Sequence, residues 1–441
     1  MTDPSFNFFQ HWYPIAPIED LAVDRPTPIV LLGQKFVVWK PPSANRYCAF
    51  VDLCPHRLAP LSEGRVDEKT GHLMCSYHGW QFDAEGVCTH IPQADNPDLL
   101  DKNRHNYCVT ALPTQQANGL LWLWPDADSA DLAASQPLPL SPQVDASRGF
   151  VWSSIVRDLE YDWQTLVENV ADPSHVPFAH HGLQGNRDRA QPMPIHIVQS
   201  DRELIEATAE GVFGAKITFR PPCLLEYAID FGKGRQVGLV TYCLPVAPGK
   251  SRIVAQFPRN FAKQLHRIVP RWWNHIAVRN SVLDGDMILL HAQEQNLQRQ
   301  QQQESSWQTA YKLPASADRL VIEFRRWCDR YCPKPLPWGE IQPTLELPLP
   351  HRQQWLDRYH QHTQICSSCQ TALKTIQRSQ IGLLAYFAVA VAVAAAMPDA
   401  LRLWVSLPLV LTALLGLAIY AVLKYWLEPK FYFVDYVHAE R

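Results

Sequence analysis

The sequence predicts an α+β protein made of three consecutive structural parts. Short β-rich segments fill residues 9–125, strand-like stretches alternate with helical segments over residues 149–360, and two apolar runs lie within residues 381–423. We therefore expect an all-β domain, then an antiparallel sheet with helices, then two transmembrane helices. The expected divisions are 9–125, 126–148, 149–360, 361–380, 381–423 and 424–441.

Composition narrows the class of protein. The 441 residues are 47% hydrophobic and 19% charged, which suffices for one large or two moderate cores. The net charge of −3 gives no indication of nucleic-acid binding. The cysteine count of eleven is odd and no signal peptide is expected, which together predict a reducing compartment. The acidic N-terminal segment does not resemble a transit peptide, so we expect a bacterial chain or one whose targeting segment has been removed.

The first domain is expected to be antiparallel. Its strand candidates are rich in β-branched and aromatic residues: Pro28–Leu32, Lys35–Trp39, Tyr47–Val51 and Gly119–Trp124. Gly33 and Gln34 predict a turn between the first two. Residues 126–148 are rich in Asp, Ala, Ser and Pro without a period, which is typical of a linker.

Two segments of this domain each carry one cysteine and one histidine. Cys54 and His56 are separated by one residue, and Cys75 and His78 by two. Two thiolates and two imidazoles are the ligands of a Rieske [2Fe-2S] cluster, in which two histidines bind one of the irons. Zinc binds the same residue types, but zinc fingers usually pair Cys with Cys and His with His. The mixed pairs therefore favour the cluster and an electron-transfer role.

The residues around these pairs extend the pattern. The segment CPHRLAPLSEGR that begins at Cys54 and the segment CSYHGWQF that begins at Cys75 resemble the Rieske domain of Rieske-type non-haem iron oxygenases. The resemblance implies a second metal centre, a mononuclear non-haem Fe(II), to which the cluster delivers electrons.

A second group of candidate ligands follows within residues 168–181. A mononuclear iron of this kind needs two histidines and one carboxylate on one face. His175 and His180 are the leading ligands, because Pro177 between them is expected to bend the segment. Asp172, three residues before His175, could itself be a ligand or could orient His175 through its other ring nitrogen. His181 could exchange roles with His180.

The third iron ligand is expected far along the chain. The segment from Val282 to Glu294 has the apolar residues of a largely buried helix, and a buried carboxylate there costs free energy unless it is paired or binds a metal. The resemblance implies Asp286 as the third ligand, with Asp284 and Glu294 as alternatives. It also implies a helix-grip catalytic domain, in which strand-like stretches such as residues 215–219, 236–243 and 252–257 form the sheet.

Cys366 and Cys369 form a Cys-x-x-Cys pair just before the apolar runs. The pair could be a redox dithiol, half of a metal site or two ordinary thiols, and we interpret it as a reversible dithiol.

The apolar runs, residues 381–397 and 403–423, are each long enough to cross a membrane. Buried helices of a soluble protein are the alternative interpretation. Lys374 and Arg378 precede the first run, and Lys424 and Lys430 follow the second. The positive-inside tendency therefore predicts that both ends, and the catalytic part, face the cytoplasm or stroma.

Together with the N-terminal segment WYPIAPIEDL that begins at Trp12, these features resemble the pheophorbide a oxygenase-like family of cyanobacteria and chloroplasts. The family includes chlorophyllide a oxygenase, protochlorophyllide oxygenases and a translocon-associated oxygenase of the inner envelope. The resemblance implies ferredoxin as electron donor, O₂ and a chlorophyll-derived tetrapyrrole as substrates, and a homotrimer in which Asp172 links the iron-bound His175 to a Rieske histidine of a neighbouring subunit.

Three functions are consistent with the sequence. The first is oxygenation and ring opening of pheophorbide a by a multi-pass protein of a cyanobacterial thylakoid or plasma membrane. The second is hydroxylation of another chlorophyll intermediate or another membrane-resident molecule. The third, from a different class, is a membrane-bound electron carrier or redox sensor that uses only the cluster and Cys366 with Cys369.

Overall fold

The computed structural model describes residues 5–42, 44–96, 102–211, 214–302, 306–338 and 351–440. The chain divides into two compact units, each built from separate stretches of sequence. The first unit contains Met1–Ile268 and Leu289–Pro348, and the second contains Val269–Ile288 and Leu349–Arg441. The sequence analysis assigned residues 269–288 to the catalytic domain, but these residues pack with the C-terminal part of the chain.

Within the described residues, the N-terminal domain contains eleven strands in three antiparallel sheets. Their order is β1-β11-β10, β2-β3-β4-β9 and β5-β6-β7-β8. The strands are β1 Tyr13–Pro17, β2 Thr27–Leu31, β3 Gln34–Trp39, β4 Cys48–Val51, β5 Arg65–Val66, β6 Leu73–Met74, β7 Gln81–Phe82, β8 Cys88–His90, β9 Ala111–Leu112, β10 Thr114–Ala117 and β11 Leu120–Leu123. The four predicted strands are present to within one residue at each end.

Two hairpins of this domain turn on pairs of residues with positive φ. Leu32 (φ 52°) and Gly33 (φ 73°) connect β2 to β3, and Asn118 (φ 53°) and Gly119 (φ 76°) connect β10 to β11. Two left-handed residues give the turn a twist that matches the flanking strands. The first turn lies one residue earlier than predicted, because Gln34 already pairs with Leu31.

The predicted linker, residues 126–148, contains the short helix Ala130–Ser135 and is partly buried. The Gln143 side-chain amide donates to the carbonyl of Tyr227 (3.0 Å). The indole of Trp12 donates to the carbonyl of Gln136 (3.2 Å). These hydrogen bonds attach the segment to both neighbouring domains, which its composition did not indicate.

A seven-stranded antiparallel sheet forms the catalytic domain, in the order β12-β18-β17-β16-β15-β14-β13. Its strands are β12 Ser154–Leu159, β13 Ile195–Ser200, β14 Ile205–Ala209, β15 Ala215–Arg220, β16 Leu224–Asp230, β17 Gln236–Ala247 and β18 Lys250–Gln256. The helices Trp163–Ala171 and Arg319–Tyr331 pack against it. This sheet with its helices, after an all-β domain, confirms the predicted fold class.

The helix Arg319–Tyr331 shows why this packing forms. Its apolar residues recur at helical spacing, so they form one stripe that faces the sheet. Phe324 packs edge-to-face on Phe219 of β15 and on Trp163, with ring centroids 5.3 and 5.8 Å apart. The buried residues of the stripe are Leu320, Val321, Phe324, Trp327, Cys328 and Tyr331.

A 23-residue helix, Asn280–Gln302, follows the π-helical turn His275–Arg279. The division between the two compact units falls inside this helix, after Ile288. Shorter helices elsewhere are Val176–Ala179, Gln264–Ile268, Arg271–Asn274, Trp307–Ala310 and Arg352–Trp355.

The second unit ends in a helical hairpin. The helix Ser367–Ala396 begins fourteen residues before the predicted apolar run, and a second helical stretch covers Asp399–Phe431. Both are long and apolar enough to cross a membrane, and most of their residues are exposed. The helices pack closely at Gly416, whose missing Cβ would lie 3.6 Å from Leu383 and 3.7 Å from Tyr386.

Candidate functional site

The two Cys-His segments form loops with the same backbone hydrogen bonds. The amide of Cys54 donates to the carbonyl of Ala59 (2.8 Å), and the amide of Leu58 donates to the carbonyl of Cys54 (2.8 Å). In the second loop, the amide of Cys75 donates to the carbonyl of Trp80 (2.9 Å), and the amide of Gly79 donates to the carbonyl of Cys75 (3.0 Å). Each loop therefore closes on its own cysteine, which fixes that cysteine relative to the histidine beside it.

Each loop reverses through a residue with positive φ. Gly79 (φ 73°) supplies it in the second loop, but Leu58 (φ 59°) occupies the equivalent position in the first. A left-handed conformation costs a residue with a Cβ about 1–2 kcal/mol. No sequence pattern predicted this conformation at Leu58.

The side chains of the two loops converge. The Cys54 and Cys75 thiols are buried. The rings of His56 and His78 have centroids 4.4 Å apart, and His56 stacks on Trp80 at 4.7 Å. The Nδ1 of His56 is buried and has no hydrogen-bond partner within the described part of the chain. A buried nitrogen with an available lone pair, beside a second imidazole and two thiols, fits the ligand set of a Rieske cluster.

His175 and His180 flank a single helical turn, Val176–Ala179. Their Nε2 atoms lie 3.2 Å apart. The preceding helix ends at Ala171, and the backbone of Asp172 after it is extended because Pro173 follows. The break therefore occurs there, and Pro177 sits in the first turn of the next helix, where a proline is tolerated. Contrary to the prediction, Pro177 therefore does not bend the segment.

The tautomer of His175 follows from its hydrogen bond. Its Nδ1–H donates to the backbone carbonyl of Asp172, which can only accept. The Nε2 lone pair therefore points toward the Nε2 of His180. Histidines that bind metals commonly donate their other ring N–H to a carbonyl in this way. The pair fits two ligands of a mononuclear iron.

Asp172 holds this turn with its carboxylate. Its Oδ1 accepts hydrogen bonds from the amide (2.8 Å) and the hydroxyl (2.5 Å) of Ser174. Its Oδ2 lies 3.9 Å from Nδ1 of His175, and its side chain is 28% exposed. Asp172 thus places a negative charge beside His175 at a position reachable from solvent.

The two aspartates of the long helix have different surroundings. Asp284 accepts two hydrogen bonds from the guanidinium of Arg358, at 2.8 and 2.5 Å, and both side chains are fully buried. Asp286 is also buried, at 4% exposure. Because Arg358 already neutralises Asp284, Asp286 is the stronger candidate for the third ligand.

The remaining alternatives lie in other hydrogen-bond networks. Nδ1 of His181 accepts from the amide of Arg187 (3.1 Å) within a surface loop. Glu294 accepts from the amide of Asp162 (2.6 Å). Burial, with repulsion from Asp162, raises the pKa of Glu294 to about 8.

Cys366 and Cys369 lie in a group that the sequence analysis did not anticipate. His275 and His362 join them, and all four side chains are buried. His362 precedes Cys366 by four residues, but His275 lies 91 residues before it, and no local pattern connects them. The reversible-dithiol interpretation stays a prediction.

Comparisons with known proteins agree with this architecture. Residues 11–113 match the family model of the Rieske [2Fe-2S] domain, and residues 219–304 match that of pheophorbide a oxygenase. The chain is 37% identical to a chloroplastic pheophorbide a oxygenase of Oryza sativa subsp. japonica, covering 99% of this chain and 86% of the relative. It is 35% identical to chloroplastic flavonoid 8-hydroxylase 2 of Ocimum basilicum, covering 99% and 87%.

Among solved structures, dicamba monooxygenase bound to dicamba has the same fold. It aligns with a TM-score of 0.61 at 19% identity, over 74% of this chain and 97% of that chain. The paired Cys-His loops, the His175 and His180 turn and the full-length similarity lead to one conclusion. The chain belongs to the pheophorbide a oxygenase family of Rieske non-haem iron oxygenases, which carry a Rieske [2Fe-2S] cluster and a mononuclear iron.

Proposed function

We propose that this enzyme oxygenates a chlorophyll-derived tetrapyrrole, with pheophorbide a as the substrate and opening of its macrocycle as the outcome. The observation that carries the proposal is the 37% identity to a pheophorbide a oxygenase over 99% of the chain. Similarity of this extent includes the sheet, the helices and the C-terminal hairpin as well as the metal-binding loops.

The proposed cluster ligands are Cys54, His56, Cys75 and His78, and the proposed iron ligands are His175, His180 and Asp286. When bound, the cluster supplies single electrons, and the iron supplies the site at which O₂ is activated. The chain's own contribution is orientation. The Asp172 carbonyl holds the proton of His175 on Nδ1, so that Nε2 is available, and Arg358 neutralises Asp284, so that Asp286 is the carboxylate available for the iron.

Asp172 is the proposed electron-transfer link between subunits of a homotrimer. Its partly exposed position beside His175 supports this role, because a link to a neighbouring chain must be reachable from outside. Ferredoxin is the proposed electron donor. The two long apolar helices support a membrane anchor, with the catalytic part on the cytoplasmic side of a cyanobacterial thylakoid or plasma membrane.

The test is a turnover assay with the full-length protein in detergent. Purified enzyme is incubated with ferredoxin, its reductase, O₂ and, separately, pheophorbide a, chlorophyllide a, protochlorophyllide and a flavone, and products are identified by mass. We expect an oxygenated product from pheophorbide a. In the His175→Ala variant we expect no product although the cluster keeps its electron paramagnetic resonance signal, because only the iron site is damaged.

Hydroxylation of another ring compound is the second candidate, and the 35% identity to a flavonoid 8-hydroxylase favours including it. Turnover of the flavone without turnover of any tetrapyrrole would replace the first proposal with this one. Unchanged product formation by the His175→Ala variant would contradict an oxygenase mechanism at this site.

A further inference from the structure

We propose that His275, His362, Cys366 and Cys369 form a tetrahedral zinc site at the base of the C-terminal hairpin. Their ligand atoms all lie within 4.8 Å of one another, and all four side chains are buried. The four residues belong to the second compact unit. They are separate in the chain from the predicted cluster and iron ligands.

The distances between the donor atoms agree with a single metal ion. Zn–N bonds of about 2.05 Å and Zn–S bonds of about 2.3 Å in tetrahedral geometry require N···N near 3.3 Å and N···S near 3.6 Å. Nδ1 of His275 lies 3.1 Å from Nε2 of His362. The N···S distances are 3.6 Å from Cys366 to His275, 3.7 Å from Cys369 to His275 and 3.3 Å from Cys369 to His362. The donors therefore surround a space of zinc size.

The chemistry of the donors also selects zinc. Two thiolates and two neutral imidazoles form a common closed set for structural zinc. Binding one Zn²⁺ releases the two thiol protons to solvent and leaves a group without net charge.

A site without net charge suits its apolar surroundings. The side chains packed around the two cysteines include Ile276, Leu373, Ile376, Leu427 and Phe431. Two thiols and two imidazoles bring polar atoms together inside this shell, where they contact one another. A bound cation would satisfy all four donors at once, which is the usual condition for burying such groups.

The positions of the ligands indicate what the metal does. His275 lies in the π-helical turn before the long helix, and His362 lies in the π-helical turn Tyr359–Thr363. Cys366 is at the N-cap position of the hairpin helix, and Cys369 is in its first turn. One ion would therefore join the start of the helix that carries Asp286 to the base of the hairpin. Such turns inside helices frequently mark functional sites.

The test measures metal in the holoenzyme as purified from zinc-replete cells, and it needs no activity. Elemental analysis should give about one zinc per chain in addition to iron, and absorption at the zinc K-edge should show two sulfur neighbours at about 2.3 Å and two nitrogen neighbours at about 2.0 Å. In the His362→Gln and Cys369→Ser variants, zinc should fall at least five-fold while iron is unchanged. His360→Gln, an exposed neighbour on the same turn, is the matched control and should keep its zinc.

Three results would overturn the proposal. They are holoenzyme with its iron but without zinc, zinc with no sulfur neighbour, and a Cys366–Cys369 disulfide in the purified protein. The last result would support the reversible dithiol instead. If a variant fails to fold, the wild-type stoichiometry and the sulfur neighbours still decide. If the zinc proposal is contradicted, the proposed substrate is unaffected, because the turnover assay with tetrapyrroles depends on the cluster and the iron.

Discussion

At the residue scale, Asp172 combines three contacts in one side chain and its backbone. Its carbonyl fixes the tautomer of His175, its Oδ1 caps the following turn through Ser174, and its Oδ2 carries the exposed negative charge. Only the last of these depends on the charge. The structural and electronic roles of Asp172 can therefore be separated by an isosteric substitution.

Asp172→Asn should keep the turn and both metal centres and slow electron delivery by about ten- to a hundred-fold, the range typical of residues that support a metal ligand. An asparagine Oδ1 still accepts from Ser174, so the fold should not change. The measurement is the rate at which the chemically reduced cluster is reoxidised in a single turnover with substrate and O₂. Asp201→Asn, another exposed aspartate that caps its own turn, is the control. An unaltered reoxidation rate would remove the electron-transfer role.

Glu294 provides a second prediction at this scale. Burial raises its pKa from 4.5 to about 8 in the folded chain. A raised pKa contributes stability that is complete below pH 4.5 and is lost as pH rises through 8, because the unfolded chain releases the proton first. Glu294→Gln cannot ionise. Its melting temperature relative to wild type should therefore increase between pH 5 and pH 8.5, as followed by thermal unfolding in detergent. A constant difference across this range would contradict the assigned burial effect.

At the scale of single elements, the long helix Asn280–Gln302 carries two aspartates with separate tasks. Asp284 forms a buried ion pair with Arg358, whereas Asp286 is the proposed iron ligand. Breaking a buried ion pair by removing one partner costs about 3–5 kcal/mol, since it leaves an uncompensated charge. Loss of a metal ligand instead reduces metal content.

We therefore expect Asp284→Asn to reduce stability and Asp286→Asn to reduce iron content. The first should lower the melting temperature by several degrees and leave the iron content of folded protein unchanged. The second should reduce iron from about three to about two atoms per chain, with the cluster retained. Calorimetry and elemental analysis of the two variants side by side distinguish the cases. Loss of iron in Asp284→Asn alone would exchange the two assignments.

At the scale of the whole molecule, chain order and compact structure do not coincide. Residues 269–288 pack with the C-terminal unit although the catalytic domain lies on both sides of them in sequence. Within that unit the hairpin exposes large apolar side chains, among them Val389 and Trp404, at 61% and 83% exposure. Such surfaces are costly in water and are expected in lipid.

Val389→Arg tests the membrane assignment. An arginine at the centre of a spanning helix costs about 2.5–3.5 kcal/mol, so the variant should be extracted from membranes by alkaline carbonate far more readily than wild type. Thr375→Arg, on the exposed face of the same helix before its apolar run, should remain as firmly bound as wild type. Equal resistance of both variants to extraction would contradict insertion of this helix.

Local signals made much of this protein predictable. The Cys54–His56 and Cys75–His78 pairs and the apolar runs each depend on residues close in sequence, where spacing alone limits the geometry. The same is true of His175 and His180, whose Nε2 atoms meet across one helical turn. The chain by itself therefore determined the fold class, the family and the candidate metal-binding segments.

Tertiary structure decided what joins residues that are distant in the chain. Asp284 differs from Asp286 in its ion pair with Arg358, which lies 74 residues away in the chain. Cys366 and Cys369 contact His275, which belongs to the turn before the helix Asn280–Gln302. No periodicity relates such residues, because their contact depends on the path of all the chain between them. The left-handed Leu58 likewise follows from how its loop closes on Cys54. The break at Asp172, by contrast, is a local effect of Pro173.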